Sequence, residues 1–395
     1  MRILTLDYRR NLPHSPEEVK TGTERFARDF AAYATEHGHE WIGIVAMPLG
    51  DEPRTIPGAH PGVQFTTVDF GNLADIPLED HATLESLEQA QAAAHERLAT
   101  VVRDARADLM FLNGFSHSSW MLYRAGMRAG VPIVIQHAGI FVRELEAHAH
   151  LYPASYIALA RAMELEAARG ARANVFLNEH SRRAFIESVG SDDIASSVII
   201  PLPHAGWAFR GTYAPSAGPR RRIGAVARWD RIKNHEAILA FAEEAARQDM
   251  PWEIVVVTTI PDTPKRAAFK QRYRSVITVV DRMERTELAD FYRSLDALVL
   301  PSHFETAGGV VMEALAEGKP TLIAPQVGWV DEYRELGMSH WITDFSNPAV
   351  AVAALTAQFA QPAWPELERF AAYVQSTHNP EHVFTSYLDL FSSLA

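Results

Sequence analysis

Short runs of aliphatic and β-branched residues alternate along this chain with longer stretches whose apolar positions recur every three to four residues. This is the pattern of parallel strands covered by helices. In the first half the short runs are Ile3–Leu6, Ile42–Val45, Phe65–Val68, Leu109–Leu112, Ile133–Ile135, Val175–Leu177 and Val198–Ile200. Helical periodicity fills the intervals, as over Glu24–Glu36, Leu84–Val102 and Ala154–Ala171. Pro201–Pro219 carries four prolines and neither period, so it reads as a linker. Alternation restarts with Ile223–Val226, Ile254–Val257, Val276–Val280, Ala297–Leu300 and Thr321–Ala324, and the chain closes on a helical segment, Glu381–Leu394. The prediction is an α/β protein of two Rossmann-like βαβ domains, residues 1–205 and 219–377, joined by a linker at 206–218 and facing a central cleft. The terminal helix, residues 378–395, is expected to pack back on the first domain.

Length supports this division, because 395 residues exceed what one hydrophobic core usually organises. Charge narrows the partners. A net charge of -12, from 37 basic and 49 acidic residues, counts against nucleic acid and against docking on an anionic membrane. The absence of cysteine excludes disulfides, thiolate catalysis and cysteine zinc sites. Asp7 and Arg9 come too early for the apolar region of a signal peptide, and no apolar run approaches the ~18 residues of a spanning helix. A soluble, cytoplasmic protein is expected.

The most informative stretch is Leu300–Pro320. A strand ends at Leu300, a loop carries Glu305, and Gly308-Gly309 opens a helix that stops near Gly318. Unpaired N–H groups at such a start, over Gly308, Gly309 and Val310, can receive a phosphate or a sugar hydroxyl. Glu313 lies about 7 Å further along the axis, an offset that suits a carboxylate gripping ribose hydroxyls. The plainer reading is a tight turn before a buried helix with both glutamates solvated. Arg228 at a strand end and Lys233 before the next helix can point into one cleft and stabilise a departing diphosphate, or can form a solvated basic turn.

This segment resembles the donor-binding motif of the family 4 retaining glycosyltransferases (glycosyltransferase group 1). The match runs through Pro301-Ser302, Glu305, Gly308, Glu313-Ala314, Ala316, Gly318 and Pro320, with two glutamates separated by seven residues. The resemblance implies the GT-B architecture, with Glu305 beside the donor sugar, Glu313 on the ribose, and Arg228 and Lys233 on the diphosphate. It departs at Thr306-Ala307, where Gly-Phe is usual, and at Gly328-Trp329, where a glycine pair is usual. Pro201-Leu-Pro-His-Ala-Gly206 likewise stands for the usual Pro-Asn-Gly-Val-Asp. The resemblance further implies that Gly22 and Thr23 close over the donor phosphates, and that the backbone of Arg282 and Met283 meets the base edge.

In the first domain His137 follows a strand end. The resemblance places it at the donor sugar near the reaction centre, with His117 a second candidate and Asp7 a possible sugar or acceptor contact. A histidine among such loops is also a common structural hydrogen-bonder. His148 and His150 could ligate a metal but lack a third ligand at suggestive spacing. The chain holds no Asp-x-Asp, so metal-independent chemistry without a cofactor is expected. The predicted function is retaining transfer from a UDP- or GDP-sugar to a hydroxyl of a soluble small molecule or glycan, by a front-face mechanism. A nucleotide-sugar epimerase or hydrolase of the same architecture and a non-catalytic nucleotide-sugar binder are the alternatives.

Overall fold

The computed structural model describes residues 1–13, 22–47, 54–71, 76, 80–204, 209 and 220–395. Two compact units divide the chain: Met1–Pro203 with Glu381–Ala395, and His204–Pro380. Most of the stretch expected to be a linker lies outside the described residues.

The first unit is built on β1 (Arg2–Asp7), β2 (Glu40–Met47), β3 (Arg54–Pro57), β4 (Val63–Asp69), β5 (Leu109–Asn113), β6 (Ile133–His137), β7 (Ala173–Phe176) and β8 (Ser197–Ile199). Their order across the sheet is β3-β4-β2-β1-β5-β6-β7-β8. Every pairing is parallel except β3 on β4. Helices cover both faces, so β5, β6 and β7 are buried along their whole length and read as unbroken apolar runs. The final helix, Pro380–Leu394, completes this unit. Val383, Phe384, Tyr387 and Phe391 recur at helical spacing and pack on Phe26, Phe30 and Phe111. The Phe30 and Phe384 rings stack at 5.3 Å, and Phe111 meets Phe391 at 5.2 Å. Removing one such ring costs about 3–5 kcal/mol, so this helix is integral to the unit.

The second unit carries β9 (Arg221–Val226), β10 (Trp252–Val257), β11 (Thr278–Val280), β12 (Ala297–Leu300) and β13 (Thr321–Ile323), ordered β11-β10-β9-β12-β13 and parallel throughout. In both sheets the strand order reverses beside the first strand, at β1/β5 and at β9/β12. Loops diverge there at the carboxyl ends of the strands, which is where open α/β sheets bind ligands. Among the described residues no helix is long and apolar enough to cross a membrane.

Candidate functional site

In the second unit the chain leaves β9 and turns through a 3-10 segment, Arg231–Lys233, capped by the Asp230 carboxylate, which accepts from the Ile232 N–H at 3.1 Å. Asn234 follows in the left-handed region, φ 53°, a conformation asparagine adopts more readily than most residues. Its Nδ2 donates to the Pro301 carbonyl at 3.1 Å, and the His303 N–H donates to the Ile232 carbonyl at 2.8 Å. These bonds lace the loop after β9 to the loop after β12, directly over the switch point. That lacing sets Lys233 Nζ 2.6 Å from Glu305 Oε1, which also accepts from Ser302 Oγ at 2.9 Å. The two side chains are 17% and 13% exposed, so water screens the pair less than it would at the open surface. Arg228 is exposed and forms no ion pair among the described residues, while its carbonyl accepts from His235 Nε2 at 2.9 Å. Burial holds the His235 imidazole below its usual pKa, so it serves there as a neutral donor.

The loop after β12 is braced from a second side. The Glu305 N–H donates to the Gln326 carbonyl at 3.1 Å, and Glu305 forms a parallel bridge with Val327. Gly308 has φ +68°, and a Cβ there would sit 3.2 Å from Leu300 Cδ2, so both conformation and space call for glycine. Its carbonyl accepts from the Val311 N–H at 3.0 Å and from Trp329 Nε1 at 3.2 Å. Gly309 leads into the helix Val310–Ala316, whose first turn carries Glu313. The Tyr292 hydroxyl donates to Glu313 Oε2 at 2.8 Å. One unit therefore collects Lys233, Ser302, Glu305, Gly308, Gly309 and Glu313 around the β9/β12 strand ends. Val310 and Met283 pack on the core cluster of Val255, Phe291 and Tyr292, and Arg282 is exposed in the loop after β11.

The first unit places three of the expected residues in its interior. His137 is 1% exposed, stacks on Phe176 at 4.6 Å and pairs through Nε2 with Asn174 Oδ1 at 3.0 Å. Burial lowers its pKa to about 4, so it is a neutral core residue and its ring does not reach the surface of the unit. His117 has both ring nitrogens occupied, Nε2 with Gln91 Oε1 at 2.7 Å and Nδ1 with the Tyr156 hydroxyl at 3.2 Å, and its pKa also falls to about 4. Asp7 is buried. It accepts from the Tyr8 N–H at 2.8 Å, Asn11 Nδ2 at 2.7 Å and Trp41 Nε1 at 3.3 Å, and desolvation raises its pKa. It organises the turn after β1. Gly22 and Thr23 begin the helix Gly22–Glu36, and the Thr23 carbonyl accepts from Asn113 Nδ2 at 2.9 Å, which ties that helix start to the end of β5. His148 and His150 stand with ring centroids 6.4 Å apart, and no described group of three His, Asp or Glu residues could hold a metal ion.

Residues 215–377, nearly the whole second unit, match the family described as Glycosyl transferases group 1. The likeness to the group 1 glycosyl transferases therefore falls on this unit. Curated relatives match over the same kind of partial length. The D-inositol 3-phosphate glycosyltransferase of Nocardiopsis dassonvillei is 34% identical over 110 residues, which cover 28% of this chain and 24% of the relative. The enzyme of that name from Kineococcus radiotolerans is 29% identical over 167 residues, covering 36% and 37%. The matched stretch thus spans well under half of each relative. Solved structures resemble the entire chain. A sucrose-phosphate synthase from Thermosynechococcus elongatus superposes with a TM-score of 0.71 at 17% identity, covering 100% of this chain and 98% of that one. An E. coli trehalose-6-phosphate structure bound with UDP-2-fluoro glucose gives 0.66 at 11% identity, with 100% coverage of both. The fold is the GT-B fold of glycosyltransferases.

Four further side chains, none of them expected from the sequence as site residues, hold the site. Asn234 and Ser302 fix the Lys233–Glu305 pair, Trp329 fixes Gly308, and Tyr292 fixes Glu313. Two carried a visible signal, since Ser302 sits inside the motif and Trp329 stands where a glycine is usual.

Proposed function

We propose that this chain transfers a sugar from a UDP- or GDP-linked donor to a hydroxyl of a soluble small-molecule or glycan acceptor, with retention, without a metal and without a cofactor. The observation that carries the reading is the partly buried Lys233–Glu305 contact, 2.6 Å long, above the β9/β12 switch point of a group 1 glycosyl transferase unit. Glu313 is assigned to the ribose hydroxyls, the backbone of Gly308, Gly309 and Val310 to donor oxygens, and Glu305 to the sugar. The backbone of Arg282 and Met283 is assigned to the base edge, and Gly22 and Thr23 remain candidates for phosphate contact in the first unit. A lysine ammonium has three donors, so Lys233 can keep Glu305 and still reach a phosphate. Arg228, exposed in the same loop after β9, is assigned as a second cation.

In the proposed step the bond between the sugar C1 and the diphosphate oxygen breaks, and the acceptor oxygen bonds to C1 on the same face. The acceptor proton passes to the departing diphosphate. No enzyme nucleophile takes part in this step. Charge grows on the leaving group as the bond breaks, and Arg228 and Lys233 stabilise that charge.

The test is incubation with UDP- and GDP-sugars, with and without hydroxyl acceptors, in the presence of EDTA. Phosphorylated polyols lead the acceptor panel, because the curated relatives are named for one. A glycoside with the donor's anomeric configuration, formed undiminished in EDTA, supports the proposal. Free sugar or isomerised donor makes the chain a hydrolase or epimerase, and nucleotide binding with no turnover makes it a non-catalytic binder.

A further inference from the structure

Glu313 is held in a way its neighbour Glu317 explains by contrast. The two carboxylates lie one helical turn apart, and consecutive residues of the helix Arg285–Ser294 meet them. Arg293 Nε donates to Glu317 Oε2 at 3.0 Å, and that carboxylate is 7% exposed, so the contact ties two elements together from the half-exposed Arg293 side. Tyr292, 0% exposed, donates its hydroxyl to Glu313 Oε2 at 2.8 Å, while Glu313 itself remains partly open to solvent. The last torsion of a glutamate side chain is broad, so a carboxylate without a fixed partner rotates among many orientations. A buried phenol on one oxygen removes that freedom.

The same helix begins at the other end of the proposed nucleoside site. Its capping box pairs Glu284 with Glu287, the Glu284 N–H donating to Glu287 Oε2 at 2.8 Å, immediately after Arg282 and Met283. Two turns later, about 10 Å along the axis, it presents Tyr292 to Glu313. We infer that Tyr292 is the positioning residue of ribose recognition. It orients Glu313 toward the vicinal hydroxyls and makes the base-contacting turn and the ribose grip parts of one rigid element. The inference rests on the donor-site reading above, in which Glu313 takes the ribose.

Calorimetric titration of the full chain with UDP, GDP and their 2′-deoxy counterparts tests it, using wild type, Glu313→Gln, Tyr292→Phe, Arg293→Gln and the Tyr292→Phe/Glu313→Gln double variant. The readout is the ribo-to-deoxy affinity ratio. Loss of folded protein weakens both nucleotides by the same factor and cancels in that ratio, so a partly destabilised Tyr292→Phe still scores. Expected are a wild-type preference for the ribonucleotide and its loss in Glu313→Gln. Tyr292→Phe should lower the ratio roughly threefold to tenfold, the range of one net hydrogen bond. Arg293→Gln should leave the ratio unchanged. In the double variant, Tyr292→Phe should add nothing once Glu313 is changed. A wild-type ratio in Tyr292→Phe alongside its loss in Glu313→Gln overturns the inference and spares the donor site. Binding of neither nucleotide by wild type, or an unaltered ratio in Glu313→Gln, overturns the donor-site reading itself.

Discussion

The two units share a parallel sheet with a switch point, yet they place polar residues at the strand ends in opposite ways. In the first unit Asp7, Asn113 and His137 end their strands and turn inward, to Trp41, the Thr23 carbonyl and Asn174. In the second unit the loops after β9 and β12 are fastened to each other through backbone acceptors, at Pro301 and Ile232, and the charged side chains between them stay partly exposed. A polar residue after a strand is therefore no sign of a site by itself. What marks the site is a loop whose backbone is tied down by other residues, leaving its charged groups able to take a ligand.

The comparison breaks most visibly through charge. Replacing Lys233 or Arg228 by Ala should lower turnover by about two orders of magnitude with the far-UV spectrum unchanged. Equal rates in wild type and variant would return both residues to a solvated turn. Replacing His137 by Ala should do the reverse. It should cost about 2 kcal/mol of stability in chemical denaturation and leave nucleotide affinity intact. A loss of donor affinity in that variant would put His137 back at the sugar.

Titration sharpens the contrast within the first unit. Unfolded His117 and His137 take up protons near their ordinary pKa of 6.5, while folded they do so only near about 4. Between those values the native state binds fewer protons, so their contribution to stability is lost as pH falls through the window. Glu164, buried and accepting from the Phe141 and Val142 N–H groups, has the opposite sign. Desolvation raises its pKa from 4.5 to about 8, so its contribution is present below 4.5 and lost as pH rises through 8. The first unit should therefore be most resistant near neutral pH and weaken on either side, as read by pulse proteolysis of peptides from 109–137. A profile that keeps rising below pH 6 would contradict the burial of the two imidazoles. The smallest expected effect is at Trp329→Phe, which keeps the ring and removes the bond to Gly308: about 1 kcal/mol in stability.

Much of this architecture is legible in the sequence because it is local. β12, Ala297–Leu300, and the Gly308 turn follow from an apolar run and a glycine pair, and the group 1 motif needs no distant residue to be recognised. Elements set by tertiary partners were harder. The helix expected over Leu84–Val102 breaks at Gln91, whose side chain is drawn to His117. The strand expected from Val276 begins at Thr278, because the preceding helix runs on through Val276. β3 went unseen because an edge strand ending in Pro57 carries little apolar signal. The direction of His137 depends on Asn174, 37 residues away, and no spacing rule reports it.

The most direct measurement is hydrogen exchange on the full chain with and without whichever UDP- or GDP-sugar gives the largest thermal shift. The account predicts slower exchange over 228–234 and 301–313 in the second unit, with the amides around His137 unchanged. Protection around His137 with none at 228–234 and 301–313 would contradict it.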